Sequence, residues 1–121
     1  MLAEIAVSLL MTLSINGGAD EPAMDYLGTY EISAYSAYEG GGENLGTASG
    51  MEPVPWYTVA TSEDYPFGTV LYIEDVGEVV VADRGGPTIQ SGGRIDLFVG
   101  WEDPEVWGLQ TKEVYLVRWP Q

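Results

Sequence analysis

The chain contains no cysteine and no histidine, and only four of its 121 residues are lysine or arginine. Without cysteine there is no disulfide framework and no thiol nucleophile. Without histidine there is no Ser/His/Asp triad and no ordinary zinc site. Nineteen aspartates and glutamates bring the formal charge to −15. Because proteins bind phosphate backbones by neutralising them with lysine and arginine, this charge argues against nucleic acid as a partner.

Apolar residues make up 45% of the chain and aromatic residues 12%. That much apolar surface offsets the entropy lost on folding, so the acidity does not indicate disorder. The length predicts one domain with a single core. If the chain is an enzyme, its chemistry must use carboxylates, hydroxyl groups, tyrosine, the few cations or backbone amides.

Residues 1–19 have the composition of a signal peptide, with a mostly apolar run followed by glycine and alanine suited to cleavage. A signal peptide starts with positive charge, but here no lysine or arginine precedes the apolar run and Glu4 is negative. An N-terminal apolar helix packed on the domain is therefore the alternative. The run is too short for a stable membrane span. Residues 20–27 predict an acidic linker, and residues 28–121 predict the folded domain.

Short apolar and β-branched runs broken by glycines follow the linker and are typical of β-strands. The six predicted strands are Thr29–Ala37, Trp56–Ala60, Thr69–Ile73, Gly77–Val81, Arg94–Val99 and Glu113–Trp119. A glycine-rich loop is predicted at Glu39–Asn44 and one helix at Glu102–Leu109, where Pro104 stands near the start. Short strands with tight turns favour a closed barrel, because closure removes exposed sheet edges.

Two aspartates on these strands are the candidates for chemistry. Asp83 ends an apolar strand, and the following Gly85–Gly86 lets the backbone bend so that the carboxylate faces a cleft. Asp96 alternates with Ile95 and Leu97, so it points away from the core that those two enter. Each aspartate alone is equally explained as a turn former or a solvated strand residue. If both meet at the ends of neighbouring strands, one holds the proton that glycosidic cleavage needs.

Several motifs occur together and in order along the chain. They are TVA at 58–60, PFGTVLYI at 66–73, ADRGG at 82–86 and RIDLF at 94–98. With them, about residues 29–119 resemble the 3D (Asp-Asp-Asp) domain. That family includes small bacterial cell-wall proteins of the stationary-phase survival type and the catalytic barrel of membrane-bound lytic transglycosylase A.

The resemblance implies a mainly β fold, a six-stranded double-psi β-barrel with one or two short helices. It also implies a lytic transglycosylase that cleaves the bond between N-acetylmuramic acid and N-acetylglucosamine without water. One aspartic acid protonates the glycosidic oxygen and then helps the muramyl 6-hydroxyl form a 1,6-anhydro end. This reaction needs no metal or other cofactor. We therefore expect a monomer that is secreted or held in the bacterial cell envelope, acts on peptidoglycan glycan strands, and is encoded by a bacterium or a phage.

The resemblance makes Asp96 the acid/base, and it makes Asp83 the residue that orients it and contacts the sugar. The first of the family's three aspartates has no counterpart, because Thr61 and Ser62 stand at its position. If that aspartate serves the scaffold, Ser62 can replace it; if it tunes the acid, this chain differs in activity from the family.

The substrate-binding candidates are Thr47, Ser49, Ser62, Gly85, Gly86 and Arg94. The first two lie in a segment similar to one that lines the family's groove, where they would donate hydrogen bonds to the glycan. Arg84 and Arg94 have two interpretations, either ion pairs with the surplus acids, worth about 0–1 kcal/mol each, or contact with a stem-peptide carboxylate. One or two aromatic side chains are expected to stack on sugars, from the set Tyr35, Tyr38, Trp56, Tyr57, Tyr65 and Trp101.

Two other functions stay open. A non-catalytic glycan-binding or wall-loosening barrel of the expansin type fits the missing first aspartate and an acidity that repels anionic wall polymers. A hydrolase needs a second carboxylate to activate water, a role open to Asp83, and only the reaction products separate it from a transglycosylase.

Overall fold

The structure, a computed structural model, describes residues 24–38 and 46–121. The strands in these residues are β1 (Asp25–Tyr35), β2 (Thr58–Thr61), β3 (Val70–Ile73), β4 (Gly77–Arg84), β5 (Arg94–Phe98) and β6 (Gln110–Arg118). Two one-turn helices flank β5, namely α1 (Pro87–Gln90) before it and α2 (Pro104–Trp107) after it. The strands close into a barrel in the order β1-β5-β2-β4-β3-β6. The predicted mainly β, six-stranded closed barrel with short helices is confirmed.

The barrel mixes parallel and antiparallel pairing. Strand β1 runs parallel to β5, and β2 runs parallel to β4, while the other neighbouring strands are antiparallel. Alternate residues of the strands fill one core. Its most deeply buried members are Ile32, Val59, Leu71, Ile73, Val79, Val81, Ile95, Leu97 and Val114. The residues between them face outwards, so the outer face of the barrel is where polar side chains on strands become available.

Strand β1 begins at Asp25 and so includes the last three residues of the predicted linker. The linker prediction is wrong there, because Asp25 and Tyr26 pair with β6, where Tyr26 lies opposite Tyr115 with ring centroids 5.3 Å apart. The acidic Asp25 is exposed and does not oppose this pairing. The rest of the linker, apart from Met24, lies outside the described residues, as do residues 1–19 and the glycine-rich loop at 39–44.

The other differences from the predicted elements are local. The helix expected at Glu102–Leu109 is one turn, because Asp103 caps its start by accepting from the Glu105 N–H at 2.9 Å, and Gly108 ends it with φ +72°. Strand β2 starts at Thr58, since Trp56 has φ +63° and leaves the extended conformation. None of the helices in residues 24–38 and 46–121 has the length and apolar character needed to cross a membrane.

Candidate active site

The two predicted catalytic aspartates lie on either side of one residue. Ala60 of β2 is paired with Asp83 of β4 on one side and with Asp96 of β5 on the other. Directly opposed residues on adjacent strands project from the same face of a sheet. Both carboxylates therefore stand on the outer face of the barrel. The sequence pattern favours a meeting of the two aspartates at the ends of neighbouring strands. In the barrel their strands are instead separated by β2, because the crossover connections place β2 between β4 and β5.

A break in register puts Asp83 on this face. Val59 pairs with Val81, whereas the next residue of β2, Ala60, pairs with Asp83, so that β4 has one extra residue, Ala82, at this point. Such bulges re-aim side chains, because without the extra residue every following side chain would face the opposite side. Asp83 would then point to the inside of the barrel.

The Asp83 carboxylate accepts three hydrogen bonds. Its Oδ1 accepts from the backbone N–H groups of Ala48 and Arg84, both at 2.9 Å, and its Oδ2 accepts from the Tyr35 hydroxyl at 3.1 Å. A group that only accepts, from three donors, has the pattern of an ionised carboxylate. The bond from Ala48 also joins the segment before β2 to the end of β4. The Ser49 N–H strengthens this connection by donating to the Ala82 carbonyl at 3.1 Å.

Asp96 is held from the other side, by β1. Ser33 pairs with Asp96 in the parallel ladder and donates its hydroxyl to Oδ1 at 3.0 Å. Ser33 and Tyr35 are two residues apart on β1 and so share the outer face. Asp96 is half-buried there, while Ile95 and Leu97 are in the core, as the alternation predicted.

Tyr35 connects the two carboxylates electrostatically. Burial raises the pKa of the Tyr35 phenol far above its ordinary value of 10, and the charges of Asp83 and Asp96 raise it further. The phenol therefore remains a donor throughout the working pH range, and its ring packs on Phe98 with centroids 5.3 Å apart. From the sequence, Tyr35 is expected only as one of the aromatic side chains that could stack on sugars. Its polar role follows from the pairing of β1 with β5, for which the sequence carries no local signal.

Thr47 and Ser49 flank Ala48, whose N–H donates to Asp83, and their hydroxyl protons are used within the loop. Thr47 Oγ1 donates to the Met51 carbonyl at 2.6 Å, and Ser49 Oγ accepts from the Met51 N–H at 3.1 Å. The two hydroxyl oxygens are 3.1 Å apart. Since the Thr47 proton is on the carbonyl, Ser49 donates to Thr47. In this arrangement the two hydroxyl groups present hydrogen-bond acceptors to a ligand, whereas the resemblance implied hydrogen-bond donors.

Three other predicted binding residues have structural roles of different kinds. Ser62 is only 5% exposed, and its hydroxyl accepts from the Asp64 N–H at 3.3 Å, which favours the scaffold role over contact with substrate. Gly85 lies against Ile89, where an added Cβ would be 2.3 Å from Ile89 Cγ1. Gly86 precedes α1, and a Cβ added there would meet no atom within 4 Å.

The two arginines near the aspartates behave differently. Arg94 forms the expected ion pair, with Glu31, at 3.0 Å. Arg84 instead donates to the carbonyls of Tyr65 and Asp83 at 3.0 and 3.2 Å, and its guanidinium lies 4.1 Å from the centroid of the Phe67 ring. For Arg84 the ion-pair prediction is wrong among residues 24–38 and 46–121, because carbonyls and an aromatic ring take its charge.

In the part of the chain that the structure describes, no three Asp or Glu side chains are arranged to hold a metal ion. The groups that this face offers for chemistry are Asp96, Asp83 and the hydroxyl groups beside them.

Comparisons with known proteins give one relative by sequence and several by structure. No family model matches the chain. It is 33% identical, over 95 residues, to the cell wall-binding protein YocH of Bacillus subtilis (strain 168). The match covers 74% of this chain and 32% of that protein, so the chain spans about a third of the relative's length.

Solved structures that resemble the barrel include those of the lytic transglycosylase MltA from Escherichia coli. A variant in its apo-2 form superposes with a TM-score of 0.54 at 19% identity. A second structure, described as a unique lytic transglycosylase fold, gives 0.52 at 22% identity. Each match covers 64% of this chain and 28% of the other. At these identities the similarity establishes the fold.

Proposed function

We propose that this chain is a peptidoglycan lytic transglycosylase of the 3D domain type, with Asp96 as its single acid/base. The observation that carries the proposal is the position of Asp96 and Asp83 on one outer face, on either side of Ala60. Support comes from the MltA-like fold and from a relative named as a cell wall-binding protein. The proposed substrate is the glycan strand, and the proposed location is the bacterial cell envelope or its exterior.

The different surroundings of the two carboxylates suit different roles. Asp83 is held in place by three donors, which suits a residue that orients its neighbours. The acid/base role requires Asp96 to hold a proton when the substrate binds. Asp96 gives that proton to the glycosidic oxygen as the bond to the anomeric carbon breaks. It then takes the proton of the muramyl 6-hydroxyl as that oxygen bonds to the same carbon. The proton is returned and no water is consumed.

Three variants test this mechanism. Purified peptidoglycan is digested with the parent protein, Asp96→Asn, Asp83→Asn and Glu78→Gln, and the released muropeptides are identified by mass spectrometry. Glu78 is an exposed carboxylate on the same strand as Asp83 and serves as the matched control. We expect 1,6-anhydro products from the parent and from Glu78→Gln. The cleavage rate of Asp96→Asn should be lower by about 10²–10⁴-fold or more, because an amide cannot donate the proton. The cleavage rate of Asp83→Asn should also be strongly reduced.

The products decide between the alternatives. Full activity of a folded Asp96→Asn protein would overturn the assignment of the acid. Reducing-end products would identify a hydrolase in which Asp83 activates water. No release, together with co-sedimentation of the protein with the wall, would favour the second candidate, a non-catalytic glycan-binding barrel. That candidate is supported by the buried Ser62 at the position of the family's first aspartate.

A further inference from the structure

A second concave site lies beside α2, and neither Asp83 nor Asp96 lines it. It is an open cavity of about 130 Å³ whose lining includes Trp56, Val99, Glu102, Asp103, Trp107 and Gln110. The lining contains two acids and no lysine or arginine. Acidic side chains alone are common in a chain of charge −15. Acids inside a cavity with apolar walls are a more specific feature, and this combination points to a ligand.

Two indole rings form one corner of the cavity. The Trp56 and Trp107 centroids are 5.8 Å apart, and the rings are inclined at 62°. Both indole N–H groups are used within the protein, that of Trp56 by Glu102 Oε2 at 2.9 Å and that of Trp107 by the Ile32 carbonyl at 2.8 Å. A ligand therefore meets π surfaces here and no indole donor. Such surfaces attract cations, because the face of an aromatic ring is electronegative.

The Trp56 ring is held in place before any ligand binds. Its backbone has φ +63°, a left-handed conformation that is unfavourable for a bulky residue and persists where the surroundings enforce it. Here they do so through the Trp56 N–H, which donates to the Phe98 carbonyl at 2.7 Å, and through the indole bond to Glu102. The side chain nevertheless stays 39% exposed. A fixed, exposed ring loses little freedom on binding a ligand.

The charge of the cavity is not compensated by the protein within residues 24–38 and 46–121. The ion pairs there are Arg94 with Glu31 and Lys112 with Asp75, and neither involves the lining acids. The Glu102 carboxylate uses Oε2 for the indole, and Asp103 uses Oδ1 to cap α2. A carboxylate accepts more than one hydrogen bond, so both acids keep acceptor capacity for a donor in the cavity.

We propose that this cavity binds an alkylammonium group, the amine at the end of the aliphatic side chain of a dibasic amino acid. An apolar cavity of roughly 150 Å³ holds benzene, a ring of about six heavy atoms, so the volume suits such a side chain and is too small for an N-acetylated sugar. The rings and the acids supply cation–π contact and charge-assisted hydrogen bonds. The assignment of the amine to the peptide stem of peptidoglycan rests on the proposed function. Binding there would hold the wall while the glycan reacts elsewhere.

The test compares two probes that differ in one charge. Nα-acetyl-lysine methylamide and its Nε-acetylated form are titrated into ¹⁵N-labelled protein, and the indole N–H signals are followed after assignment with Trp56→Phe and Trp107→Phe. We expect the free amine to shift the Trp56 and Trp107 signals and to bind about tenfold or more tightly than the acetylated probe. Its affinity should fall as salt rises.

Glu102→Gln is the informative variant, because the amide oxygen still accepts from the Trp56 indole while the charge is lost. It should weaken amine binding by about 3–10-fold, whereas Glu78→Gln should not change it. Equal binding of the two probes would overturn the proposal. So would an unchanged affinity in a folded Glu102→Gln protein, or shifts of these indoles caused only by a neutral chitin oligosaccharide.

The source of the amine is tested with soluble muropeptides, before and after acetylation of their free amines. Tighter binding of the unmodified muropeptide supports the stem peptide, and tighter binding of a lysine-containing peptide of unrelated sequence overturns that source. The Asp96→Asn protein should bind the amine normally. If the parent protein binds the amine but does not cleave the glycan, that result contradicts the proposed function and leaves the amine site standing.

Discussion

Replacing Gly85 by alanine should destabilise the barrel, whereas the same change at Gly86 should not. An added Cβ at Gly85 would lie 2.3, 2.5 and 2.9 Å from Cγ1, Cβ and Cγ2 of Ile89. Ordinary contacts between carbon atoms are about 3.5–4.0 Å. At Gly86 no heavy atom lies within 4 Å of the added Cβ. The two neighbouring glycines thus form a matched pair for measuring the overlap alone.

The overlap cannot be relieved by a side-chain rotation, because Ile89 Cβ itself is involved. Ile89 is 5% exposed, and its N–H donates to the Gly86 carbonyl at 3.0 Å, which ties α1 to the strand end. The helix must therefore shift. Overpacking of this kind costs about 1–3 kcal/mol, and alanine returns about 0.4–1 kcal/mol by restricting the unfolded chain. We expect a net loss of about 1–2 kcal/mol at Gly85 and a change within about 0.5 kcal/mol at Gly86.

Urea unfolding followed by tryptophan fluorescence measures both changes, and thermal melting gives a second estimate. A loss of about 1–2 kcal/mol lowers the melting temperature of a domain of this size by about 5–15 °C. Ile89→Gly completes a double-mutant cycle. It is destabilising by about 2–5 kcal/mol for the lost side chain and about 1 kcal/mol for glycine in a helix, but it removes Cβ, Cγ1 and Cγ2, the three clashing atoms. In that background Gly85→Ala should have little further effect, with a coupling free energy of about 1–2 kcal/mol.

Equal destabilisation by the two glycine substitutions would refute this reasoning, since only Gly85 has a close neighbour. Additive effects of Gly85→Ala and Ile89→Gly would refute it as well. If Gly85→Ala keeps the stability of the parent but loses wall cleavage, the glycine acts through substrate contact, as the resemblance to the family implied.

Two further predictions concern Tyr35. Tyr35→Phe removes one donor to the charged Asp83, so it should reduce the free energy of unfolding by about 1.5–3 kcal/mol and also slow glycan cleavage, measured as in the Asp96→Asn assay; a fully active and fully stable variant would contradict this. Burial raises the pKa values of Tyr35 and Tyr65 above 10, so folding is linked to keeping these phenols protonated. The contribution of these phenols to the free energy of unfolding is complete below pH 10. It is lost as the pH rises above the tyrosine pKa of the unfolded chain, by up to about 1.4 kcal/mol per pH unit for each tyrosine. Urea unfolding between pH 8 and 11 should show this decline, with a smaller slope in Tyr35→Phe, and a flat profile would contradict it.

The outer position of Asp96 could be predicted from the sequence, because it depends only on local geometry. Side chains alternate along a strand, so burial of Ile95 and Leu97 turns Asp96 outwards whatever strand lies beside it. The closed barrel was predictable for a related reason, since six short strands must satisfy their edges. The absence of histidine and cysteine restricted any chemistry to oxygen and cationic groups before a single contact was known.

Tertiary structure alone decided which side chains meet Asp96 and Asp83. Strand order placed Ala60 between them, one extra residue in β4 turned Asp83 outwards, and the parallel pairing of β1 with β5 brought Tyr35 and Ser33 to the site. The same holds for the ion pair of Arg94 and for the cavity beside α2. Sequence patterns specify the face on which a residue lies, because the backbone repeats locally. They do not specify its neighbour, because residues far apart in the chain become neighbours only when the barrel closes.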